Sequence, residues 1–184
     1  MIMADVLTWF LIIIGSLMVL IAHWLAAFAL FPELVEGCSE RYGRRPVAAT
    51  ALGLAVLAPT LLAAILVMRE LAHPAVGVVV IVALVFPTLL AMLGSAGLAL
   101  RIGAGLRSAR DSEQPWRRVL RGGAVLALAF VLPVLGWFVL LPWALASGFG
   151  AALMTLRAGR RARASAAGAL GASSAGGPLP ESPQ

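Results

Sequence analysis

Apolar residues occur along this chain in long uninterrupted runs, and the short segments between them hold almost all of the charges. Three runs without a charged side chain cover residues 6–31, 47–68 and 75–100. A membrane helix needs about 20 apolar residues to cross about 30 Å of hydrocarbon, so each run is long enough for one span. The pattern predicts three transmembrane helices within a helical membrane domain that covers residues 1–163.

A fourth run, residues 122–156, has 35 consecutive residues without a charge, which is too many for one ordinary span. Near its middle, Pro133 lacks a backbone donor and clashes with the carbonyl four residues earlier, while Gly136 tolerates turn conformations. We expect the helix to break at these two residues and the run to form a helical hairpin; one kinked span is the alternative. The predicted fold is an all-α multi-pass membrane protein with four to five membrane segments.

The arginines favour the hairpin. With a hairpin, 13 of the 14 basic residues, all of them arginine, fall on one side of the membrane, and only Arg69 falls on the other. Cytoplasmic loops carry the excess of basic residues, so we expect a periplasmic N-terminus and a cytoplasmic tail in a bacterial inner membrane. The arginines expected at the lipid head groups of this face are Arg41, Arg44, Arg45, Arg107, Arg110, Arg117, Arg118, Arg121, Arg157, Arg160 and Arg161.

Between residues 33 and 45, apolar residues recur with the period of an amphipathic helix. Leu34, Cys38 and Tyr42 recur every four residues, and charged side chains fill the other face, which predicts a short helix lying on the membrane surface. The clustered glutamates of this helix have no Asp-rich loop or histidine beside them, so a solvated face is favoured over a cation site. Farther along, residues 164–184 are rich in Ala, Gly, Ser and Pro, which predicts a disordered tail.

Composition agrees with a bilayer protein. A chain that is 61% hydrophobic and only 12% charged has more apolar surface than a soluble domain of this size could bury. The net charge of +6 lies beside the apolar runs, which favours anionic lipids as partners and no nucleic acid. A single cysteine, Cys38, excludes an intramolecular disulfide.

Small residues recur where membrane helices pack. Ala49 and Gly53 have small-x-x-x-small spacing in the second run, and Ala91, Ser95 and Ala99 continue that spacing in the third. Small side chains let helix backbones approach closely, so we expect these residues to form packing faces. Other integral membrane proteins are the expected protein partners.

His23 is the one ionisable side chain inside a predicted span, and such residues are functional candidates because their placement there is costly. With Trp24 beside it, His23 could ligate a magnesium-centred pigment or contact a quinone; a neutral histidine hydrogen-bonded to another helix is the plainer interpretation. Arg69, Glu70 and His73 could form an acid–base site, but solvated loop ends are favoured. No catalytic residue or metal ligand is predicted.

Three sequence segments, FPELVE at 31–36, RRP at 44–46 and LPVLGW at 132–137 before a Gly/Ala-rich run, carry a family resemblance. Their order resembles the membrane region that follows the β-helical module in bacterial polymer-forming, bactofilin-like proteins. Only residues 1–5 precede the first span here, so the resemblance does not bring the polymerising activity with it. It implies a membrane platform without catalytic residues.

The expected function is therefore a non-enzymatic membrane scaffold or an accessory subunit of a larger assembly. A pigment- or quinone-contacting subunit of an energy-transducing complex is one alternative. A small transporter is another, because helix breaks at Pro87, Pro133 and Pro142 resemble the discontinuous helices of transporters. The absence of an internal repeat and of an intramembrane carboxylate or arginine disfavours transport.

Overall fold

The computed structural model describes residues 2–70, 74–106 and 114–175, and the regular structure in these ranges is entirely helical. Four stretches are long and apolar enough to cross a membrane, namely Asp5–Leu30, Pro46–Glu70, Ala75–Gly105 and Gly136–Ala169. The fold is that of an all-α multi-pass membrane protein, as predicted. The helices are α1 (Ile2–Leu30), α2 (Pro32–Arg44), α3 (Pro46–Glu70), α4 (Pro74–Gly105), α5 (Trp116–Val131), α6 (Pro133–Leu135) and α7 (Leu141–Ala175), with a π-helical segment, Gly136–Leu140, between α6 and α7.

The long apolar run 122–156 breaks at Leu132. This residue has the extended ψ of 113° that a following proline favours, and α5 ends immediately before it. The break thus lies immediately before Pro133, one of the two residues predicted for it. The side of the membrane on which each end of the run lies stays a prediction.

Gly136 does not have the role that the sequence suggested. It is helical, with φ −65° and ψ −50°, and no glycine in the described ranges has a positive φ. A Cβ at Gly136 would lie 2.8 Å from the carbonyl oxygen of Ala129 and equally close to the carbonyl carbon of Phe130. Glycine at this position therefore permits the close approach of the chain to the end of α5, and it does not form a turn.

The core forms around the C-terminal half of α4. Residues 94–100 of this helix are buried in succession, whereas residues 75–89 are mostly exposed. α5 packs antiparallel to this half, because Gly103 lies against Arg118 and Gly122 lies against Ala99. α2 and α7 cover other faces of α4.

Two predicted segments differ from the structure. The apolar face of α2, with Val35, Cys38 and Tyr42 buried, contacts α4 and α7, so this helix is docked on protein rather than lying only on a membrane surface. α7 continues to Ala175, so the tail predicted to be disordered from residue 164 is helical over residues 164–175. The reason is its alanine content, since alanine has the highest helix propensity and no proline interrupts this stretch. Residues 176–184 lie outside the described residues.

Candidate functional site

Trp24 joins three helices. Its side chain is 2% exposed, and its Nε1 donates a hydrogen bond of 3.0 Å to Ser95 Oγ of α4. Ser95 Oγ in turn donates to the Met92 carbonyl oxygen at 2.7 Å. The indole ring also packs against Phe130 of α5, with 6.3 Å between ring centroids, and it covers Gly123. The polar atom of Trp24 is therefore hydrogen-bonded within the protein, and its ring packs between α1, α4 and α5.

His23 lies beside Trp24 but makes no matching contact. Its Nε2 is buried, and no hydrogen-bond partner for it occurs among the described residues. A buried polar atom without a partner costs free energy, so such an atom marks either a missing ligand or a local penalty. The two residues predicted to contact a cofactor therefore differ. Trp24 Nε1 is hydrogen-bonded to Ser95, whereas His23 Nε2 is buried and has no hydrogen-bond partner among the described residues.

A second polar junction fixes α2 against α7. Tyr42 Oη donates to Ser147 Oγ at 3.1 Å, and both side chains are buried. One turn away, Thr155 Oγ1 lies 3.8 Å from Cys38 Sγ. Burial raises the pKa of the Cys38 thiol to about 11, with Thr155 and Arg41 opposing the rise, and burial also raises the pKa of Tyr42 well above its usual range. Both groups are neutral at physiological pH, as the apolar surroundings require.

The small residues predicted to pack are all buried at helix contacts. Gly53 lies against the backbone of Ala146 and Gly150, and Gly150 lies against Ala49. Gly148 lies against Ala91, Gly94 and Ser95, and Gly122 lies against Ala99. The glycines on the partner helices were not predicted from the sequence. One signal was present for α7, because Ala144, Gly148 and Ala152 repeat the same small-x-x-x-small spacing.

The predicted head-group arginines occupy different environments. Arg44 pairs with Glu40 at 3.9 Å on the exposed face of α2, and Arg117 lies 5.5 Å from the ring centroid of Trp116. Arg45, Arg157, Arg160 and Arg161 are exposed, and Arg41, Arg118 and Arg121 are half-buried. Arg107 and Arg110 lie outside the described residues, as does His73. Arg69 and Glu70 are exposed at the end of α3.

The described residues offer close helix contacts and two buried polar junctions, Trp24 with Ser95 and Tyr42 with Ser147. Within the described ranges, no three His, Cys, Asp or Glu side chains come together as a metal ion would need. Comparison of the chain with protein-family models, curated proteins and solved structures gives no match. The class is therefore defined by the fold, an all-α multi-pass membrane protein, and the resemblance to bactofilin-like membrane regions stays a prediction.

Proposed function

We propose that this protein is a non-enzymatic scaffold or accessory subunit of a larger bacterial membrane assembly, located in the inner membrane. The observation that supports this function is the uneven packing of the helices. In the apolar windows of α1 and α3, only 11% and 6% of the residues are buried, against 44% in the window of the last span. The chain thus forms a compact core at one end and presents largely uncovered helices elsewhere.

The surface around the π-helical segment is the most distinctive uncovered region. Trp137 and Phe138 are 67% and 79% exposed, and Val134 lies exposed beside them. π-helical insertions occur often at functional sites, and exposed aromatic residues are enriched in protein–protein contacts. We therefore assign the aromatic surface, residues 134–139, as the first contact site for a partner membrane protein.

Site-specific photo-crosslinking in native membranes tests this function. A photo-reactive amino acid would replace Phe138 in the aromatic surface or Leu62 on the exposed face of α3, and Ala167 near the end of α7 is the control position. We expect a discrete adduct with another membrane protein from Phe138 or Leu62, and none from Ala167. Lipid adducts alone from both positions, together with a monomer in mild detergent, would contradict the proposal.

A second candidate function is that of a pigment- or quinone-contacting subunit. One observation favours it: His23 Nε2 is buried and has no hydrogen-bond partner among the described residues. A histidine ligates a magnesium-centred pigment through a ring nitrogen, and a quinone carbonyl accepts a hydrogen bond from a ring N–H. Mild purification from native membranes followed by absorption spectroscopy tests it. A chromophore that copurifies with the native protein but not with His23→Phe would support this candidate, and its retention by the variant would exclude His23 as the ligand.

A further inference from the structure

A groove of about 1000 Å³ lies between α2, α4 and α7, beside the end of α1. The wall along α4 is apolar, and the charged side chains of the rim come from α2 and α7. This volume is at the upper end of the range for ligand pockets in proteins, about 300–1000 Å³. The groove is therefore large enough for a sizeable ligand, and its two sides differ sharply in chemistry.

The apolar wall follows α4. Phe86, Leu90 and Leu93 line it at positions i, i+4 and i+7, so they share one face of the helix over about 10 Å. Phe86 lies within one of the candidate spans, and its side chain is 69% exposed. Leu30 and Leu156 extend the apolar surface on the neighbouring helices. A flexible hydrocarbon chain matches a wall of this shape and chemistry.

The rim carries a surplus of positive charge. Arg41 of α2 and Arg160 and Arg163 of α7 line the groove together with Glu33 and Glu40. Glu40 pairs with Arg44, while none of the three groove arginines forms a salt bridge within the described residues. Guanidinium groups bind phosphate oxygens through paired N–H donors, so arginines without a carboxylate partner suit a phosphate group.

We propose that this groove binds one anionic glycerophospholipid, with its phosphate at the three arginines and an acyl chain along the α4 wall. The charge of the rim and the apolar wall together match an anionic amphiphile better than either a free anion or another apolar helix. A free anion would leave the wall uncovered, and an apolar helix would leave the three arginines with Glu33 as the one unpaired carboxylate among the described residues of the groove.

Native mass spectrometry of the full-length chain in mild detergent tests the site. Phosphatidylglycerol is the anionic probe, and phosphatidylcholine is the zwitterionic one. We expect one retained phosphatidylglycerol per chain and much weaker retention of phosphatidylcholine. Arg160→Gln with Arg163→Gln should weaken retention roughly thirty-fold, because each basic group near an anionic head group contributes about fivefold.

The control is Arg157→Gln with Arg161→Gln, which removes the same charge from exposed positions of α7 outside the groove. Because all four arginines are exposed, circular dichroism should give the same helix content for both pairs. Equal loss from both pairs would overturn the proposal, since it would indicate general charge attraction. Displacement of the lipid by inorganic phosphate, or a lipid-free dimer of the chain, would overturn it as well.

The apolar wall has its own test. Phe86→Ser should reduce retention of phosphatidylglycerol, while Ile81→Ser, at an exposed position on another face of the same helix outside the groove, should leave it unchanged. If Phe86→Ser retains phosphatidylglycerol as well as the native protein does, the acyl chain does not bind along the α4 wall.

Discussion

Tyr42 of α2 and Ser147 of α7, 105 residues apart in the sequence, are joined by a buried hydrogen bond of 3.1 Å. Ser147 Oγ accepts from the tyrosine and donates to the Ala144 carbonyl oxygen at 3.3 Å. This contact holds the short polar helix α2 against the last span.

Tyr42→Phe should lower the free energy of unfolding by about 0.5–1.5 kcal/mol, because it removes one hydrogen bond and keeps the ring. Ser147→Ala should cost a similar amount, and the double variant should cost little more than either single variant. Chemical denaturation of the purified protein in detergent measures all three. Fully additive losses would show that the two hydroxyl groups do not act as a pair.

Glycine-to-alanine substitutions should separate tightly packed helix contacts from open surface. A methyl group at Gly53 would collide with the backbone of Ala146, and one at Gly148 would lie 2.8 Å from the Ser95 nitrogen. Each substitution should lower the free energy of unfolding by about 1–3 kcal/mol, since the backbones must move apart.

Gly15→Ala and Gly77→Ala are the matched controls, because their added methyl groups would meet nothing within 4 Å. Both residues lie in helices, so alanine should leave stability unchanged or raise it by up to about 1 kcal/mol. Losses of similar size in the controls and in the packed positions would contradict the close contacts. Thermal unfolding followed by circular dichroism makes the comparison.

His23→Phe should raise stability by about 1 kcal/mol, because an aromatic side chain would replace a buried nitrogen that has no partner. Trp24→Phe should lower stability by a similar amount, because it leaves Ser95 Oγ without the indole donor. Thermal unfolding of both variants tests these opposite changes in stability. A destabilising His23→Phe substitution would indicate that Nε2 has a partner in the native membrane.

Stability should fall as the pH rises above about 9, and Cys38 should account for part of the fall. The folded protein holds the thiol pKa at about 11, against 9.0 for an unperturbed thiol. The folded state therefore keeps a proton that the unfolded chain releases between these two values, so its advantage is complete below pH 9 and is lost towards pH 11.

The melting temperature of native protein and of Cys38→Ala at pH 8 and at pH 10.5 measures this contribution. The variant should lose less stability between the two values than the native protein does. Tyr42 adds to the decline in both proteins, because its pKa is also raised by burial. Equal declines in the two proteins would show that the thiol does not contribute.

Local patterns were sufficient for the spans and for the break at Pro133, since both depend on residues close together in the sequence. They were insufficient for the contact between Tyr42 and Ser147, because neither segment indicates which distant helix it meets. The spacing of Ala49 and Gly53 predicted close approach but did not identify Gly150 as its partner. The composition of residues 164–184 predicted disorder, whereas its prolines all lie after residue 175 and the alanines before them favour a helix.

The core around α4 also has consequences for how the protein is made. Gly53, Gly94 and Ala91 are covered by residues 146–150, which are synthesised after α3 and α4. Until then, the two earlier helices expose their glycine faces to lipid or to the insertion machinery. Assembly of the core thus requires residues 146–150, and a chain that stops before residue 146 would lack the segment that joins its earlier helices.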